Sequence, residues 1–150
     1  MCEPTVMDSL DALPGRRCSV AGALDVVGDK WALLVVREVS FGNHRFSDIL
    51  RGTGAPRERL SARLNELVDA GVLERRQYSE TPPRSGYHLT EAGRDLIPVL
   101  QALLQWGDRW VADTPPVELH HPGHRLRAAW VCETCGEPAT RDVTRVATAS

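Results

Sequence analysis

Between residues 46 and 90 the hydrophobic pattern changes period twice. Phe46, Ile49 and Leu50 recur at helical spacing and predict one or two turns of helix, which Gly52, Gly54 and Pro56 then break. A second helix is expected from about Pro56, where proline suits a first turn because its missing N–H has no intrahelical partner. Leu60, Leu64, Leu67 and Val68 share one face of it, and Gly71 supplies a C-terminal stop. Residues 72–78 and 86–90 then read as two strands around a polar tip carrying Pro82, Pro83 and Arg84. Upstream, Val20, Ala23, Leu24 and Val27 line one face of a short helix with Ser19 as its expected N-cap, and Gly28 interrupts it. Residues 30–39 are apolar around most of a helical circumference, which predicts a central core helix with Trp31 packed into the core. Downstream, Thr90 is expected to cap one long helix reaching about Val111, kinked at Pro98. Its apolar positions, including Leu103, Trp106 and Trp110, exceed what a domain of this size can cover.

Helix, turn, helix, hairpin is the order of a winged helix-turn-helix. The expected fold is therefore mainly α (α+β), with N- and C-terminal dimerisation helices: an arm over residues 1–17, a DNA-binding and dimerisation domain over 18–112 and a small zinc-ribbon-like extension over 113–150. In such a fold the second helix enters a major groove and the hairpin tip lies along the adjacent backbone. Arg57, Glu58, Arg59, Ser61, Ala62 and Arg63 occupy the first turns of that helix, where base edges are met. Arg57, Arg59 and Arg63 suit guanine or phosphate, or are solvated surface arginines; Arg84 suits a minor-groove or phosphate contact. Arg51, Arg75 and Arg76 are expected to touch backbone or to pair with Asp48, Glu66 or Glu74.

Charge sharpens the picture only locally. The 150 residues carry a formal net charge of −2, which argues against a protein that coats nucleic acid. Residues 45–84 nevertheless hold eight arginines against six acids. That asymmetry favours DNA contact by this stretch. No apolar run approaches the ~20 residues needed to span a bilayer, and the N-terminus lacks a signal-peptide core. A cytoplasmic protein without membrane contact is expected. No paired acid–base constellation, phosphate loop or Ser/His/Asp pattern is present, so an enzyme is not expected.

In a reducing compartment, the four cysteines are thiols or metal ligands rather than structural disulfides. Cys18 lies beside Arg16 and Arg17 at a helix start, a setting that favours thiolate; a half-buried apolar side chain is the equal alternative. The segment "VCETCGE" is similar to the knuckle of a zinc ribbon, with Cys132 and Cys135 as two ligands. His120, His121 or His124 could complete a structural zinc site, but no second C-x-x-C exists, so a metal-free thiol pair stands beside that reading.

The elements "DKW", "LxxLxxAGVLERR" and "TPPRSGYHLTEAG", in that order, resemble the HxlR family of bacterial transcription regulators, relatives of the MarR group. The resemblance covers roughly residues 18–111. It departs at Asp29, where glycine is usual, and at Ser19, where proline is usual. It implies a homodimer paired through the long C-terminal helix, probing a pseudo-palindromic operator in double-stranded DNA. It also places an N-terminal cysteine at Cys18, which some members use to sense oxidants or electrophiles. The expected function is a transcription regulator, as a repressor, responsive to such agents or to a small-molecule effector. The alternative is a winged module that binds proteins or small molecules without operator specificity.

Overall fold

The computed structural model describes residues 10–148. The chain divides into two compact units, one running to Leu100 and the other starting at Gln101. Residues 1–9 of the expected arm lie outside the described residues; Leu10–Ala12 form a single 3-10 turn.

Helix α1 (Ser19–Val27) starts one residue earlier than a Ser19 cap requires: the N-cap is Cys18, in extended backbone and without a side-chain cap hydrogen bond. Val27 and Gly22 are its buried positions, whereas Val20 and Leu24 of the expected apolar face are exposed. Helix α2 (Lys30–Ser40) is the core helix the pattern predicts, burying Ala32, Val35, Val36 and Val39. Asp29 caps it, accepting the Trp31 N–H at 2.8 Å. Such a cap contributes about 1 kcal/mol, and glycine could not supply that side-chain oxygen. Trp31 is half-buried against the core, with the Lys30 ammonium 4.3 Å from its ring centre.

Helices α3 (Phe46–Thr53) and α4 (Arg57–Asp69) follow the predicted order. Leu60, Leu64 and Leu67 are essentially inaccessible, and Ile49 of α3 meets them in the same core. The break falls at Gly54, whose positive φ of 70° ends α3; Gly52 stays inside the helix. Strands β1 (Leu73–Glu80) and β2 (Pro83–Leu89) pair antiparallel from Leu73↔Leu89 to Glu80↔Pro83, with an irregularity between Gln77 and Ser79. The hairpin is thus longer than predicted, and Pro83 belongs to a strand rather than to the tip.

The long helix expected after the hairpin is two helices, α5 (Glu91–Arg94) and α6 (Ile97–Trp110). Pro98 explains the split. Its ring excludes the carbonyl of an earlier turn, so the chain breaks and restarts with Pro98 in a first turn. Thr90 accepts the Gly93 N–H at 3.2 Å and donates to the Val72 carbonyl at 3.0 Å, so one hydroxyl caps α5 and ties it to the start of β1. A Cβ on Gly93 would collide with that same carbonyl. This is the physical content of the "LTEAG" pattern.

In the second unit Gln105 of α6 exchanges two hydrogen bonds with Ala128, at 3.1 and 2.7 Å. The extension carries a two-residue ladder, β3 (His120–His121) with β4 (His124–Arg125), and a bridge between Val131 and Pro138. A complete zinc-ribbon fold is not part of this arrangement.

Candidate nucleic-acid interface

The geometry of α4 begins behind it, at Glu38. This carboxylate is 6% exposed, in the last turn of the core helix α2. It accepts from Arg37 Nε at 2.9 Å and Asn43 Nδ2 at 2.8 Å, while the Asn43 N–H reaches the Glu38 carbonyl at 3.0 Å. Arg37 also donates to the Gly52 carbonyl at 2.7 Å. A Cβ at Gly52 would overlap the Glu38 carboxylate. A buried charge is tolerated only when paired and hydrogen-bonded, and here both conditions are met by groups that join α2 to the end of α3. Thr53 Oγ1 donates to the Ile49 carbonyl at 2.8 Å and accepts from the Ala55 N–H at 3.3 Å, and Ala55 is buried. The start of α4 is therefore held from both sides of the turn.

With Leu60, Leu64 and Leu67 turned inward, α4 leaves Glu58, Arg59, Ser61 and Ala62 exposed around the rest of its circumference, while Arg57, in line with Leu60 and Leu64, is exposed as the first residue of the helix. The Arg57 guanidinium lies 5.4 Å from the Phe46 ring centre, which steadies it without neutralising it. Among the described residues Arg59 and Arg84 have no ion-pair partner. Arg63 differs from the rest of the predicted set. Its guanidinium pairs with Glu66 and lies 3.6 Å from Asp29, the cap of α2, and its Nε is buried without a hydrogen-bond partner. Arg51 pairs with Asp48 at 2.5 Å, Arg76 with Glu74, and Arg75 with the Asn65 side chain. On the wing Arg84 stands opposite Ser79 and is exposed. Arg45, which the sequence did not single out, sits 5.1 Å from the ring of exposed Tyr78.

The base of the wing holds a pair that no local pattern announces. The Tyr87 N–H donates to the His44 carbonyl at 2.8 Å, and His44 Nδ1 is 2.8 Å from the Tyr87 carbonyl, to which it must donate. His44 thus lies hydrogen-bonded along the outer edge of the two-stranded sheet, beside β2. Its ring stacks on His88 with centres 4.0 Å apart and planes 17° from parallel. Burial, then the His44 and Arg76 charges, push the His88 imidazole below its ordinary pKa, against an opposing pull from Glu74.

In the extension, the turn from Cys132 to Gly136 is closed by the Gly136 N–H on the Cys132 carbonyl at 2.6 Å, with Gly136 at a φ of 75°. Backbone N–H groups of Cys135 and Thr134 are directed at the Cys132 sulfur and hold its thiol below the usual range. His121 and His124 meet edge to face at 5.6 Å, and His120 is 3.3 Å from Glu118. Among the described residues no three His, Cys, Asp or Glu side chains converge as a metal site. The knuckle brings Cys132 and Cys135 together as a pair, two ligands where tetrahedral zinc takes four.

A buried leucine stripe beneath an exposed arginine face, a fixed turn and a two-stranded wing define a winged helix-turn-helix transcription regulator. Residues 26–115 match the model of the HxlR-like helix-turn-helix family. An HTH-type transcriptional regulator of Mycobacterium tuberculosis is 44% identical over 131 residues, covering 84% of this chain and 83% of that one. The crystal structure of PA1607, assigned as a transcription factor, aligns with a TM-score of 0.77 at 35% identity, over 87% of this chain and 94% of its own. The redox regulator HypR, in its oxidized form, aligns with a TM-score of 0.54 at 34% identity, over 61% of this chain and 95% of its own. The chain belongs to the HxlR-like helix-turn-helix family. Among the described residues no helix is long and apolar enough to cross a membrane.

Proposed function

We propose that the protein is a homodimeric repressor that reads a pseudo-palindromic operator with α4 and steadies itself on the backbone with the wing. The observation that carries this is the face of α4, where Arg57 and Arg59 stand exposed in the first turns of a helix whose far side is anchored by three buried leucines. Glu58 and Ser61 flank them as further base-edge candidates, and Arg84 on the wing is the phosphate candidate. Arg63 takes part only by giving up its partners Asp29 and Glu66.

Binding titrations on specific and scrambled duplexes at several salt concentrations test this. Arg59→Ala or Arg57→Ala is expected to cost ~1–3 kcal/mol on the operator and to relax preference at one base pair. Arg84→Ala is expected to weaken binding on all sequences and to lower the salt slope by about one unit. Operator affinity unchanged in both α4 variants would overturn the reading and leave a winged interaction module.

Regulation through Cys18 is part of the same proposal. It is supported by the position of Cys18 as the N-cap of α1 and by the likeness to a redox regulator. Quinone or peroxide is expected to release wild-type protein from the operator and to leave Cys18→Ser bound; identical responses would remove Cys18 from the switch. For the extension the proposal is a partial zinc site on Cys132 and Cys135, with His124 as the candidate third ligand. Zinc well below a tenth of an equivalent per chain, after purification without chelator, would retire it.

A further inference from the structure

At the base of the wing, a cleft of about 310 Å³ is lined by Val39 and Ser40 at the end of α2, His44, Arg76, His88, Leu89, Arg94 of α5 and Ile97. Its lining brings together two arginines, two histidines and the apolar Val39, Leu89 and Ile97. We infer that this cleft binds a small organic carboxylate with an apolar body, and that its occupancy is read by the His44–His88 stack.

The charge distribution sets the sign of the ligand. Four of the lining residues can be cationic, and the carboxylate facing them is Glu74, paired with Arg76 and lying directly opposite His88 in the sheet. Arg94 uses one N–H on the Leu89 carbonyl, at 3.0 Å. Guanidinium groups suit carboxylates because their planar fork can donate two parallel hydrogen bonds. The size of the cleft is at the lower end of the ~300–1,000 Å³ range of ligand clefts. It fits one ring or a short chain. The aliphatic part of the lining has nothing to offer a bare inorganic anion, and this favours an amphiphile.

The histidines make binding proton-linked. Burial first, then the neighbouring His44 and Arg76, hold the His88 pKa below its ordinary value, so its charged form is disfavoured in the empty cleft. An anion placed among His44, Arg76, His88 and Arg94 reverses that bias and draws a proton onto the stack. Affinity therefore rises as pH falls through the imidazole range, well above the range in which a carboxylate itself protonates. Two stacked rings that both become cationic repel each other. His44 holds Tyr87 through both backbone groups, so a change at the stack acts on the strand that carries the wing.

The regulatory consequence rests on the proposed operator binding, but the cleft itself is testable without DNA. Benzoate serves as the probe, benzamide as its neutral isostere and inorganic phosphate as the bare anion. Imidazole resonances of the full chain are followed from pH 5 to 8. Benzoate is expected to shift both the His44 and His88 signals and to raise the His88 pKa by ~1 unit, whereas benzamide and phosphate leave them in place. The pair Arg76→Gln and Arg94→Gln is expected to weaken benzoate at least about tenfold, with Arg94→Lys retaining part of the affinity and unchanged circular dichroism showing an intact fold. Equal shifts with benzamide, equal shifts with phosphate, or none with benzoate in the folded wild type would each overturn the inference. Operator affinity unchanged in the α4 variants, with the benzoate response retained, would count against the DNA reading alone.

Discussion

At the residue scale the most constrained contact is Glu38 against Gly52. Replacing a glycine by alanine gains up to ~1 kcal/mol in a helix interior, and less in a last turn such as the one Gly52 occupies. Here the new methyl group would displace a buried carboxylate from Arg37 and Asn43, and hydrogen bonds to a charged group contribute ~1.5–3 kcal/mol. The second effect is larger. Gly52→Ala should destabilise the fold by about 1–2 kcal/mol, measured by denaturant unfolding. In a Glu38→Ala background the collision is gone, and the same substitution should become neutral or stabilising. A cost that persists in the double variant would show that Glu38 is not what Gly52 accommodates. Leu64 makes the apolar counterpart: it is 1% exposed, so Leu64→Ala should cost ~2–5 kcal/mol through lost burial and a residual cavity.

At the scale of the element, the wing is held by its base rather than by its tip. His88, Glu74 and Arg76 occupy one face of the β1–β2 ladder, and His44 adds its backbone along the free edge of β2. A histidine whose pKa is lowered in the fold binds its proton more readily when unfolded. Its contribution to stability is therefore complete above the ordinary value of 6.5 and is lost as pH falls from there through the folded pKa. Urea midpoints between pH 8 and pH 5 should decline over that window in the wild type. His88→Phe, which can still stack on His44, should show a shallower decline. Parallel curves for the two proteins would mean that another group carries the pH dependence.

For the whole molecule, the open question is what covers α6. Val99, Leu103, Trp106 and Trp110 recur near helical spacing and are 45–65% exposed. A stripe of that size left in water favours association, and the proposed two-fold pairing buries it. Leu103→Glu with Trp106→Glu should convert a dimer to monomers in sedimentation while leaving the core of α2, α3 and α4 folded. Operator affinity should fall with it, since each half-site would then be bound alone. A monomeric wild type at micromolar concentration would remove the dimer from the proposal.

Where one period or one residue type decides an element, the sequence alone was sufficient. Leu60, Leu64 and Leu67 could share only one helical face, Pro56 and Gly71 bounded that helix, and two short segments flanking a proline-bearing polar tip marked the hairpin. The exposure of Arg59 then followed from the leucines, because helical pitch turns it away from them, whereas Arg57, in line with Leu60 and Leu64, is exposed because the helix begins there. Pro98 announced a disturbance, but whether it kinks a helix or restarts one depends on backbone hydrogen bonds around it. The α1 cap went to Cys18 because caps are set by dihedral angles, to which Ser19 has no special claim. Arg63 faced inward because Asp29, distant in the chain, came beside it. Glu38 and the His44–His88 pair were beyond any local pattern: a buried carboxylate needs Gly52 to make room, and a ring stack needs the turn at His44 laid beside the wing. Local periodicity placed the groups that face solvent, while those whose partners are remote in sequence acquired their roles only when the chain had closed on itself.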